Sequence, residues 1–340
     1  MTAIRPRDLL SESVLDRLGG AADQAGGQPA ALAGDIALLA EVGYLNVALP
    51  PELGGLGCTL RQAACGQRRL ARRAPRTALA VSAHLYWTGA AADAYRAGDN
   101  SVRWMLAEAS RGALFAAGHG GDTGEAGADL RFADPSSRCA PAADGGYQFA
   151  DSRVLSSITP GWDWIAVHAV HQAARPQTVV AFAGRGTRCT PAFRVARTES
   201  AGTPADVFMT SALTWGHSIL ASVQYADTRR AFDAALTAYA DAAATALFAP
   251  GPATARPGTM ARQGGRWPVA EADALLDAMK ARIADVTHPW QLVRAPAPDL
   301  GGQHLIGLHS MRHEIAEGAA RVHGLITLIT GAPAPARPQV

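Results

Sequence analysis

From Met209 to Phe248 the chain runs for about forty residues without a proline, against a mean of ~11–12 residues for a globular helix. A segment of that length fits few folds. It reads as one long helix of a bundle, with other helices lying along it. The flanking sequence agrees. Residues 3 to about 48 read as helices, with Leu10, Val14, Leu15 and Leu18 and then Leu32, Ile36, Leu39 and Val42 at helical spacing. After a turn-rich loop holding Pro50, Pro51, Gly54, Gly55 and Gly57, an amphipathic stretch runs from Thr59 to about Arg73. The following TALAVSAHLYWTGAAADAYRA is almost continuously apolar, which predicts a helix buried on most sides. SVRWMLAEASRG gives one more helix.

Downstream of the long segment, a Pro/Gly-rich break leads to a helical VAEADALLDAMKARIADV. A loop with Pro289, Pro296 and Pro298 precedes a last helix striped by Met311, Ile315, Ala319, Val322, Ile326 and Ile329. Charged residues are 18% of the chain, below the usual ~25%. The surplus is small residues, which lets helices pack closely.

The middle follows a different period. ALFAAGHG is short and apolar, GGYQFADSRVLSS and WDWIAVHAVH alternate, and TVVAFAG is β-branched. The expected fold is therefore mainly α with a central β domain. Its parts are an N-terminal helical domain over 1–112, a small barrel-like β domain over 113–208, and a helical bundle over 209–331. The Pro-rich tail 332–340 is expected to be disordered.

The formal charge is +2, which offers little long-range attraction to nucleic acid or an anionic membrane. The densest basic run, Arg68, Arg69, Arg72, Arg73 and Arg76, reads as a solvated or interfacial helix face. Cys58, Cys65, Cys139 and Cys189 are widely spaced with no CxxC, so neither a disulfide framework nor a zinc site is expected. No apolar run reaches ~18 residues and the N-terminus has no signal-peptide core, so the expected location is the cytoplasm. GxGxxG, P-loop, HExxH and GxSxG motifs are all absent, which argues against the corresponding nucleotide, zinc-protease and hydrolase sites.

Four pieces in order resemble the acyl-CoA dehydrogenase superfamily. Leu49 to Gly57, LPPELGGLG, resembles the family's P-E-x-x-G-G-x-G loop. Asp122 to Asp129, DTGEAGAD, resembles its T-E-P-x-A-G-S-D loop, with Asp122 in the Thr place and Ala128 in the Ser place. Asp151 to Val167, DSRVLSSITPGWDWIAV, resembles its G-x-K-x-x-x-T-N-x-x-x-A-D-W segment, with Ser157 in the Thr place and Asp163 and Trp164 as the D-W pair. The helix near Trp215 resembles the first bundle helix, and the last helix resembles the third. The family's fourth bundle helix has no counterpart in this sequence.

The resemblance implies FAD as cofactor, held by Asp122, Gly127, Ala128, Asp129, Ser156, Ser157 and Trp164. It implies an acyl-CoA or acyl-carrier thioester as substrate, and assembly as a homodimer or tetramer, or as a heteromer with a complete dehydrogenase subunit. The implied chemistry is α,β-dehydrogenation. A base takes the α proton while flavin accepts the β hydride. The family supplies a glutamate as that base, and TWGHSILASVQY carries no acid at the place on the first bundle helix. His217 is the nearest substitute, because imidazole titrates near neutral pH; His84 and His217 are the candidates for the histidine that assists flavin in the superfamily's monooxygenases. Three readings stay open. One is a dehydrogenase, one a flavin monooxygenase of the same superfamily that needs no α-proton base, and one a non-catalytic or partner-dependent subunit. No metal site is expected.

Overall fold

The computed structural model describes residues 6–18, 29–117, 138–141, 147–150, 161–171, 177–185, 192–195, 204–248, 266–290 and 301–330. Its helices are α1 (Pro6–Leu9), α2 (Glu12–Arg17), α3 (Pro29–Glu41), α4 (Leu60–Ala71), α5 (Pro75–Arg96), α6 (Arg103–Ser110), α7 (Pro204–Phe248), α8 (Arg266–Trp290) and α9 (Gly301–Thr330). The strands are β1 (Phe115–Ala117), β2 (Arg138–Pro141), β3 (Tyr147–Ala150), β4 (Trp164–His171), β5 (Gln177–Gly184) and β6 (Ala192–Val195). The order is helices, a small sheet, then helices, as the hydrophobic periods require.

Helix α4 starts at a capping box. Thr59 Oγ1 accepts from the Gln62 amide at 3.3 Å, and Gln62 Oε1 accepts from the Thr59 amide at 2.9 Å. It buries Leu60, Ala63, Ala64, Leu70 and Ala71 and turns its arginines outward. The arginine run is a surface of cross-links: Arg69 and Arg73 pair with Glu12, and Arg72 pairs with Asp233. Helix α5 opens with Pro75 at N1, where the missing N–H costs nothing. Ala78, Val81, Leu85, Trp87, Ala91 and Ala94 bury it on all sides. The loop before α4 is held by the Gly57 amide on Leu49 O and the Cys58 amide on Val47 O, both at 2.8 Å. Gly55 in that loop admits no side chain, since a Cβ there would lie 2.1 Å from Leu49 O.

The sheet runs β3-β2-β4-β5-β6, with β1 also paired to β4. β4 is antiparallel to β5 over its whole length and parallel to β1 and β2 along the other edge. Trp87 of α5 meets Phe182 of β5 edge-on at 4.9 Å and stacks on Phe208 of α7 at 5.9 Å, so helix, sheet and bundle share one aromatic junction.

The 45-residue α7 spans two cores. Its N-terminal half contributes Phe208, Ala212, Trp215, Ile219, Val223 and Ala226 to a core shared with α4, α5, α6 and the sheet. Phe232 and Ala235 farther along join α8 and α9 in a second core around Leu276, Ile283, Met311, Ile315 and Val322. Two boundaries differ from expectation. α7 begins at Pro204, a first-turn position that proline tolerates. α8 continues through Pro289 to Trp290, because that indole is pinned to α5. No helix among the described residues is long and apolar enough to cross a membrane.

Candidate functional site

Helix α7 presents Thr214, His217, Ala221 and Gln224 along one stripe, at the 3-4-3 spacing that keeps side chains on a single helix face. Helix α9 answers with His304, Leu308, His309 and Arg312. Contacts advance in step along the two helices. Thr214 Oγ1 lies 2.9 Å from His304 Nε2, the His217 and His309 rings meet edge-on at 4.9 Å, and Arg312 donates to Gln224 Oε1 at 3.2 Å. Thr214 spends its own hydroxyl proton on Thr210 O at 2.7 Å, so it accepts from His304. His304 stacks on Trp290 at 5.2 Å with the rings 16° from parallel.

His217 is 3% exposed, and neither ring nitrogen has a hydrogen-bond partner among the described residues. Burial pushes its pKa down to about 3, helped by the positive fields of Arg312 and His309. The ring is neutral at physiological pH. Ser211 and Ser218 on the same helix also carry buried hydroxyls without partners among the described residues. Such groups are costly unless a ligand or solvent satisfies them.

His84 lies elsewhere and is committed. Its Nε2 donates to Leu45 O at 3.0 Å, and its Nδ1 accepts from the Phe115 amide at 3.3 Å. It ties the loop after α3 and strand β1 to α5, and no ring nitrogen is left for a substrate. Burial holds it neutral, with a pKa of about 4. The two histidines are thus not brought together.

Trp164 starts β4, with its amide on Leu114 O at 3.0 Å and its ring edge-on to Trp104 at 5.0 Å. The adjacent Asp163 accepts from the Leu114 amide at 2.8 Å. This D-W pair therefore fastens the sheet to the end of α6. Asp122, Gly127, Ala128, Asp129, Ser156 and Ser157 lie outside the described residues, so the fit of a flavin to this chain rests on sequence at those positions. The described aromatic rings of the junction pack on one another.

Sequence reasoning missed Asp93, which organises the approach to the seam. Its Oδ2 accepts from Trp215 Nε1 at 2.7 Å and Trp290 Nε1 at 3.0 Å, and its Oδ1 from Arg96 at 3.0 Å. One carboxylate joins α5, α7 and α8. Burial raises its pKa, and the indole and guanidinium donors oppose that rise. Beside it, a Cβ on Gly89 would lie 2.3 Å from Trp215 Cε3, so only glycine lets the indole lie flat on α5. A lone Asp in an alanine-rich helix was the available signal. Its partners are far away in sequence, which hid the role. Among the described residues, no cluster of His, Cys, Asp and Glu could hold a metal ion.

No family model matches this sequence, and no curated protein matches it. Solved structures do. A nitrososynthase from Micromonospora carbonacea var. africana is 20% identical over 98% of this chain and 87% of that one, with a TM-score of 0.73. KijD3 in complex with dTDP is 19% identical over 97% and 85%, with a TM-score of 0.66. TdsC from Paenibacillus sp. A11-2, with FMN and indole, is 16% identical over 98% and 88%, with a TM-score of 0.63. At these identities the likeness is one of fold, and the chain has the acyl-CoA dehydrogenase-like fold.

Proposed function

We propose that this protein is a flavin-dependent oxidoreductase of the monooxygenase kind, acting on a small polar substrate. The observation that supports this over α-proton abstraction is the chemistry of the α7–α9 seam. Its titratable groups are His217, His304, His309 and Arg312, and α7 has no Asp or Glu between Val207 and Ala226. Abstracting the α proton of a thioester calls for a base, and His217, its pKa lowered by burial to about 3, is a weak one, whereas oxygen transfer needs no α-proton base. Bound flavin would supply electrons and react with oxygen. The groups that would hold it are the 122–129 segment, with Asp122, Gly127, Ala128 and Asp129, and the Ser156 and Ser157 hydroxyls, with Trp164 at the start of β4. His217, neutral and without a hydrogen-bond partner among the described residues, would give one hydrogen bond and take another, orienting the substrate without a net charge.

FMN is the preferred cofactor, because KijD3 and TdsC have been solved with it; FAD is the alternative. The dehydrogenase reading, on a coenzyme A or carrier thioester, would need a base from residues outside the seam or from a partner subunit. The test is to titrate FMN and FAD into the purified protein while following the flavin visible band. Native mass spectrometry run alongside would distinguish a homodimer, a tetramer or a heteromer. Stoichiometric binding, with oxygen uptake when reduced flavin is supplied, is the expected result. Anaerobic bleaching by acyl-CoA would restore the dehydrogenase reading. Failure to bind either flavin would leave only the partner-dependent subunit.

A further inference from the structure

Arg312 is anomalous. It sits in the α7–α9 seam with Gln224 as its single hydrogen-bond partner among the described residues. Burial alone pulls its pKa down to about 10, and no carboxylate opposes that fall. Acids on α5, α7 and α9 are paired with other groups. Asp93 serves Trp215, Trp290 and Arg96, Asp227 serves Arg230, and Asp233 serves Arg229 and Arg72. On α9, Glu314 serves Arg282 and Ser310, and Glu317 serves His313. Arg312 is half-buried, and among the described residues no carboxylate pairs with its partly desolvated guanidinium.

Its neighbours share a chemistry. Gln224 accepts from Arg312 through Oε1, which leaves its Nε2 protons to donate. His217 has both nitrogens without partners among the described residues, and its ring touches the exposed ring of His309. Each imidazole offers at least one N–H. Ala221, between His217 and Gln224 on α7, is fully buried and small, so it leaves the polar heads to define the seam. Four side chains therefore bring N–H donors together, and none of them brings an acid. The seam reaches solvent at His309.

We propose that this seam is an oxyanion site, in which Arg312, Gln224, His217 and His309 take the carboxylate or phosphate group of a small molecule. Arg312 supplies the charge and a planar fork suited to two oxygens. His217 supplies the buried inner donor, and His309 closes the solvent side. The inference deepens the proposed function, since the seam is the one assigned there to the substrate, and it uses none of the residues assigned to the cofactor, so anion binding and flavin binding are tested separately.

The test uses the full chain with inorganic phosphate and, separately, acetate as probes, against chloride at equal ionic strength. Thermal unfolding and the imidazole ring resonances are both recorded, with His309→Asn used to assign its ring. At least one anion is expected to raise the wild-type Tm and to move the His217 and His309 resonances, and the stronger probe identifies the class. Arg312→Met should lose the anion response while its own Tm without anion holds or rises, since a half-buried charge with no carboxylate partner among the described residues has been removed. An equal Tm rise in wild type and Arg312→Met would be a general salting effect and would overturn the site. So would ring resonances that neither anion moves. If Arg312→Met fails to fold, the wild-type ring resonances still decide the matter.

Discussion

Replacing Asp93 with alanine separates three helices at one point. The carboxylate receives two indole N–H groups, at 2.7 and 3.0 Å, on the same oxygen. Hydrogen bonds to a charged group contribute about 1.5–3 kcal/mol each, and a buried donor left without a partner costs about 1–3 kcal/mol. The Asp93 side chain keeps 17% of its exposure, so water can reach part of the vacancy and the lower half of the range applies. Asp93→Ala should therefore destabilise the protein by about 3–4 kcal/mol. Asp93→Asn keeps an oxygen for the indoles but turns an amide toward Arg96, and should cost about 1–2 kcal/mol. Trp290→Phe removes one donor and retains a ring to stack on His304. In a double-mutant cycle with Asp93→Ala, the coupling should be about 1.5 kcal/mol. Urea unfolding followed by tryptophan fluorescence measures all of these. Equal losses below about 1 kcal/mol for Asp93→Ala and Asp93→Asn would refute the argument that the indole bonds hold α7 and α8 on α5.

Gly89→Ala puts a Cβ 2.3 Å from the Trp215 ring. Overpacking at that distance should outweigh the ~1 kcal/mol gained in helix propensity, for a net loss near 2 kcal/mol in the same unfolding assay. Thr59→Ala removes half of a capping box and should cost about 1 kcal/mol. Acid should destabilise the protein through His84. Its folded pKa of about 4 lies below the ordinary 6.5, so the unfolded chain binds the extra proton. The stability is fully present above pH 6.5 and is lost as pH falls toward 4. The loss should reach about 3 kcal/mol at ~1.4 kcal/mol per pH unit. His217 adds to it in the same direction, with loss continuing toward pH 3. Unfolding curves from pH 7 to pH 4 in wild type and His84→Gln test this, and the variant should show the shallower slope.

The sequence by itself determined the order of elements. A long proline-free segment, an all-round apolar α5 and a β-branched middle are local properties, since helix and strand periods are written in consecutive residues. For the same reason LPPELGGLG was readable as a turn-rich loop, while the Thr59–Gln62 capping box and the exclusion of a side chain at Gly55 emerged from the structure. Only the tertiary structure decided what the chemistry-bearing residues do. His84 and His217 look alike in sequence, one residue in a helix each. One has both nitrogens taken by the backbone of Leu45 and Phe115, and the other has neither nitrogen taken among the described residues. Asp93 meets Trp290 across 197 positions, and Arg312 meets Gln224 across 88. The physical reason is range. Periodicity acts over one or two turns of chain, whereas burial, charge compensation and hydrogen bonding depend on which helices come to lie side by side.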